Sequence, residues 1–168
     1  MPITQTPNIL VNKILDADST PANELRTALQ QVIDAHGAVY DVTIPVASVL
    51  TLFATPYTVL DAPDAGYAWQ INKVVAHKAA GVAYAGIAVG EDLTLKYTNA
   101  AGAIAAQVET TGFLDQATTQ VRQVNGIGTD LAPVSAAPIV AHMLAGEITT
   151  GDQPIKLKIT ARLIPTAW

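Results

Sequence analysis

From Ile155 to Leu163 the chain alternates without a break. Ile155, Leu157, Ile159, Ala161 and Leu163 are apolar, and Lys156, Lys158, Thr160 and Arg162 stand between them. Successive side chains of a strand point to opposite faces, so this stretch lays an aliphatic row on a core and a basic row in solvent. A helix would scatter the same residues around its circumference. A one-residue slip would bury three cations and expose five apolar groups, which fixes the register. Upstream, Ile139, Ala141, Met143 and Ala145 alternate with Val140, His142 and Leu144, predicting a second strand. The turn-rich connection from Gly146 to Pro154 suits an antiparallel hairpin, expected at the centre of a β-sandwich.

The remainder agrees with a mainly β chain. Val39–Ile44 and Val46–Phe53 are β-rich and are separated by Pro45, which cannot donate to a ladder. Tyr57–Leu60 reads as a strand, and Asp61–Gly66 as a turn. Trp69, Ile71, Val74 and Val75 mark the next strand, with Lys73 and Lys78 expected to face outward. Val82–Ala88 reads as a strand closing at Gly90-Glu91-Asp92. Leu93, Leu95 and Tyr97 alternate with Thr94, Lys96 and Thr98, as in a half-buried strand. Asn99–Gly102 turns the chain into Ile104–Val108, Thr118–Val124 can form another strand, and Asn125–Asp130 is a loop. Short strands at a spacing of roughly 8 to 12 residues argue for a sandwich or jelly roll.

The N-terminal region differs. Ser19 or Thr20 can cap a helix, Pro21 suits its first turn, and Gly37 suits its end. Leu25, Ala28, Leu29, Val32 and Ile33 recur at helical spacing and form one apolar face. Before it, Ile9, Leu10, Val11, Ile14 and Leu15 give an arm an apolar patch that either packs on its own domain or docks on a neighbouring subunit. The expected organisation is an arm and helix over residues 1–37 and an antiparallel β-sandwich (jelly-roll) domain over residues 38–168. Trp69 is expected in the core, and Trp168 over an edge or interface.

Only 14% of residues are charged, against about a quarter in ordinary globular domains, while half are apolar. Such a surface is either partly covered in the working state or simply neutral. Net charge is −5 and the cations are dispersed along the sequence, so nucleic acid and anionic membranes are not expected partners. The start, Met1–Pro7, lacks the basic and apolar stretches of a signal peptide, and no apolar run approaches the ~18 residues of a span. The expectation is a soluble protein that is not exported by the usual route.

Chemistry is sparsely signalled. No cysteine is present, which excludes disulfides and Cys-ligated metals. His36, His77 and His142 form no metal-binding spacing, so no metal or cofactor is expected. His36 suits a helix C-terminus, and His142 a satisfied, partly buried strand position. Asp61, Asp64, Glu91, Asp92, Glu109 and Asp115 could supply two carboxylates facing each other roughly 5 to 9.5 Å apart, as glycoside hydrolysis needs, but spacing does not show which loops converge. Gly126-x-Gly128 has no third glycine or following helix and reads as a loop rather than a nucleotide fingerprint.

Several phrases carry a resemblance. Leu50-Thr51-Leu52-Phe53-Ala54-Thr55-Pro56-Tyr57-Thr58-Val59-Leu60-Asp61-Ala62-Pro63 resembles the opening strands of small jelly-roll structural proteins of tailed bacteriophages. So do Asp92–Asn99, Glu109–Asp115 and Gly146–Asp152; the likeness spans about residues 46 to 164 and includes no catalytic motif. It implies a non-enzymatic head decoration (cement) protein, often trimeric, that binds the major capsid protein lattice and stabilises the head. The implied location is the capsid surface of the virion, after assembly in the host bacterial cytoplasm. On that reading, Ile9, Leu10, Val11, Ile14, Leu15, Leu25, Leu29, Val32 and Trp168 are the expected oligomer or capsid contacts. The alternatives are a ligand- or carbohydrate-binding jelly roll of a tail fibre or spike, and a hydrolase with an acidic cleft.

Overall fold

The computed structural model describes residues 37–127 and 133–167. The expected arm and helix, with every contact residue proposed on them, together with His36 and Trp168, lie outside the described residues. So do residues 128–132, which include the end of the 125–130 loop.

The described chain forms eight strands in two antiparallel sheets: β1 (Ala38–Ile44), β2 (Tyr57–Leu60), β3 (Tyr67–Lys78), β4 (Asp92–Tyr97), β5 (Ile104–Glu109), β6 (Gln120–Asn125), β7 (Ile139–Met143) and β8 (Ile155–Pro165). One sheet runs β1-β8-β3-β6 and the other β2-β7-β4-β5, the strand order of a jelly roll. The expected fold class holds for this domain.

β8 is central. It pairs with β1 from Ala38↔Ala161 to Ile44↔Ile155, and with β3 along its whole length. Ile155, Leu157, Ile159 and Ala161 are fully buried, and Lys156 and Lys158 are exposed, as the alternation requires. Leu163 departs from expectation and is 46% exposed. β1 begins opposite Ala161, so among the described residues Leu163 has a strand neighbour on the β3 side alone.

The expected hairpin between β7 and β8 does not form. These strands lie in opposite sheets, and residues 144–154 carry the chain across the sandwich. A connection of that length exceeds the ~2–5 residues of a hairpin loop, and it packs inward through the buried Ile148. Alternation identifies the buried face of a strand but not its neighbour.

Val46–Phe53 is a short helix, α1 (Val46–Val49), and a turn rather than a strand. Pro45 starts it, and the amides of Ser48 and Val49 donate to the Pro45 carbonyl at 2.9 and 3.0 Å. Val49 and Leu52, three residues apart, are both fully buried, a spacing that suits a helical turn. The expected strand Val82–Ala88 is a loop broken by Gly86 and Gly90, both at φ 77°. It keeps one bridge, in which the amides and carbonyls of Ala85 and Thr149 pair at 2.7 and 2.8 Å.

Lys78 is also corrected: it is buried, not outward. A bulge between Ile71 and Lys73 inverts the parity of β3, so Trp69 and Ile71 face the core before it and Val74, Ala76 and Lys78 after it. Gly126 seals the bulge. Its amide donates to the Asn72 carbonyl at 3.0 Å, and a Cβ there would stand 1.7 Å from the Ile71 carbonyl oxygen.

The two sheets are tied inside the core. The Tyr97 hydroxyl on β4 donates to the Trp69 carbonyl on β3, and burial pushes the phenol up to about 12. Trp69 is buried as expected; its indole donates to the Asp61 carbonyl at 2.8 Å, and its ring meets Tyr40 edge-on at 5.4 Å.

Tyr97→Phe strands the buried Trp69 carbonyl and is expected to cost about 1–3 kcal/mol in denaturant melts. Leu157→Ala should cost about 2–5 kcal/mol, and Lys156→Glu on the opposite face should stay within about 0.5 kcal/mol. Equal losses at 156 and 157 would contradict the two-faced strand.

Candidate interaction face and the buried histidine

The outer face of the β1-β8-β3-β6 sheet is a grid set by the register. Thr43, Lys156, His77 and Val121 form one row across the four strands. Asp41, Lys158, Val75 and Gln123 form the next, followed by Val39, Thr160, Lys73 and Asn125. Residues of the first two rows line a shallow hollow of about 530 Å³. Beyond the third row, Arg Nε of Arg162 donates to Gln70 Oε1 at 2.6 Å. Val39 and Val121 are 60% and 54% exposed at the two edges, so the face mixes aliphatic and cationic groups.

Lys73, Lys156, Lys158 and Arg162 therefore share one face. The cations dispersed along the sequence are gathered in space, because β3 and β8 are paired neighbours. Asp41 is the one carboxylate on these outward positions, and it meets Lys158 Nζ at 2.6 Å. That pair is largely exposed, so its contribution to stability is small. Of the remaining described cations, Lys78 and Lys96 are buried, and the Arg122 guanidinium lies 5.9 Å from the Phe113 ring centre and donates to the Gly112 carbonyl.

The outer face of β2-β7-β4-β5 is different, because the protein covers much of it. Thr94 and Lys96, expected on the open face of a half-buried strand, are buried, as are Val140 and His142. The Phe53 ring lies over His142 with centres 5.7 Å apart. Glu147 holds this cover in place, accepting from the amides of Ala54 at 2.9 Å and Phe53 at 3.3 Å. Glu91 accepts from the Ala145 amide at 2.9 Å, while its other carboxylate oxygen and His142 Nδ1 are buried without a hydrogen-bond partner among the described residues. Thr94 donates to the His142 carbonyl at 2.8 Å, and Lys96 Nζ to the Ala100 carbonyl at 2.7 Å.

His142 is held below its ordinary pKa, first by loss of hydration and then by Lys96; a backbone hydrogen bond with Phe53 and the charges of Glu91 and Glu147 pull the other way. Burial likewise lowers Lys96.

The candidate carboxylates separate into distinct places. Asp61 and Asp64 sit in the β2–β3 turn, and Asp115 follows β5. Asp92 and Glu109 come together as directly opposed residues of β4 and β5, beside a hollow of about 460 Å³ that Glu91 also lines. Gln107 donates to Asp92 Oδ2 at 2.5 Å. The pair lies side by side on one sheet surface, not on two walls of a cleft. Its signal was present in the sequence, since a hairpin about the Asn99–Gly102 turn sets Asp92 opposite Glu109. His77 faces the open sheet, and no group of three or more His, Asp or Glu able to hold a metal occurs among the described residues. The exposed aromatics Phe53, in the turn after α1 and over the β2-β7-β4-β5 sheet, and Tyr67, on β3 of the other sheet, form no shared stacking row.

Comparison with protein families, with curated proteins and with solved structures finds no match to this chain.

The lowered pKa of His142 sets a pH dependence. As pH falls, the unfolded chain takes up the proton first, at about 6.5. The stability contributed by neutral His142 is therefore complete above that value and declines from it down to the folded-state pKa. The melting temperature should fall between about pH 7 and about pH 5, and His142→Phe, which keeps a ring against Phe53, should flatten the decline. A wild-type protein that gains stability on acidification would mean that the histidine is charged in the fold.

Proposed function

We propose that this chain is a non-enzymatic structural protein of a bacteriophage virion. On this reading it is a capsid decoration (cement) protein that binds the major capsid protein lattice as a homo-oligomer, most naturally a trimer, and stabilises the head. The observation that carries the proposal is the open, four-stranded outer face of β1-β8-β3-β6, where a broad pleated surface offers cations and aliphatic groups together. Such a surface suits contact with another protein surface better than enclosure of a small molecule. The strand order that the phage resemblance implied supports the same reading. Trimeric state and capsid location come from the resemblance.

The test is cosedimentation with purified heads that lack the protein. Binding should saturate at a fixed number of copies per head and raise the temperature at which the heads release their DNA. Replacing Val39 and Val121 by Asp should weaken attachment without changing the β-rich circular dichroism spectrum. A protein that stays in the supernatant at every concentration would overturn the proposal.

A further inference from the structure

The charge of the sandwich is divided between its faces. The outward positions of β1, β8, β3 and β6 hold four cations against Asp41, a surplus of three positive charges in a chain whose net charge is −5. The other eight described carboxylates lie elsewhere. On the opposite outer face, Asp92 and Glu109 form a cross-strand pair of like charge. Such pairs are destabilising when no cation is near. Neither has an ion-pair partner among the described residues, nor do Lys73 and Lys156. The molecule thus carries both halves of a complementary pair, on surfaces that cannot meet within one copy.

We infer that the basic face of one copy, through Lys73 and Lys156, docks on the Asp92–Glu109 patch of a second copy. The contact joins two different patches, so copies repeat head to tail; the repeat closes into a ring when the rotation per step divides a full turn and otherwise remains open. Val39 and Val121 on the same face supply apolar area that a purely electrostatic contact would lack. That mixture favours a protein partner over a nucleic acid, and the second copy is the partner whose carboxylates are themselves left uncompensated. The inference rests on the homo-oligomer part of the proposed function and assigns this face to contact between copies, so its part in attachment to heads is through the oligomer rather than by direct contact with the lattice.

The test needs this protein alone. Light scattering coupled to gel filtration should show masses above the monomer at about 0.05 M salt and a shift toward monomer at about 0.5 M, as screening shortens. Lys73→Glu with Lys156→Glu should weaken association at least about tenfold, and so should Asp92→Lys with Glu109→Lys. Glu109→Lys alone, at an exposed position, gives a milder form of the second variant should the double substitution fail to fold. Mixed in equal amounts, the face-reversed and patch-reversed proteins should associate again, because each then meets opposite charge on both sides. Association that survives both reversals, or a mixture that stays monomeric, overturns the inference. A monomeric wild-type protein whose basic face instead retains heparin or short duplex DNA also overturns it. Cosedimentation with heads reads the decoration proposal separately, so a monomer that still saturates heads rejects this contact and leaves that reading standing.

Discussion

The parity of β8 is the constraint on which the sandwich depends. The strand is hydrogen-bonded on both sides, so its aliphatic row is held against the core by β1 and β3 together. Lys156, Lys158 and Arg162 are outward for the same reason that Ile155, Leu157 and Ile159 are inward. Core and candidate interaction face are two sides of one decision, since no register satisfies one and spoils the other. The Tyr97 hydroxyl then joins the second sheet to this one at Trp69, adding a directional bond to a contact that is otherwise non-directional burial.

Much of this was legible in residue order, and the exceptions have physical causes. The alternation of Ile155–Ala161 and the turns at 61–66 and 99–102 are local signals, and the structure keeps them. The fate of Lys78 was hidden because it depends on one extra residue at the 71–73 bulge, whose partner is Gly126 far along the chain. The burial of Thr94 and Lys96 was hidden because it involves groups outside the alternation of β4: Thr94 bonds the His142 carbonyl of β7, Lys96 bonds the Ala100 carbonyl of the following turn, and Phe53 covers the neighbouring His142 from the turn after α1. Val46–Phe53 has a composition that reads as a strand, but the three-residue spacing of Val49 and Leu52 puts both on one side only in a helical turn, and the Pro45 carbonyl fixes that turn by accepting two amides.

The candidate face was half legible. Three of its cations lie on one strand and announce themselves. Lys73 joins them through strand pairing, which no local pattern reports. The acidic partner pair is likewise a product of pairing, visible once the 99–102 turn is taken as the centre of a hairpin. Apolar periodicity therefore located the core well, whereas charge became informative when strands were placed beside one another.

The division of charge between the two outer faces also makes the domain an electric dipole. A neutral or uniformly charged body approaches a surface in random orientation, and most collisions present the wrong side. A dipolar one experiences a torque once it comes within about a Debye length, roughly 8 Å at physiological salt. It turns its basic sheet toward carboxylates before any side chain touches. The β3 bulge contributes to this alignment, because by inverting parity after Ile71 it turns Lys73 to the same side as the β8 cations. One inserted residue thus helps determine which way the molecule faces on arrival.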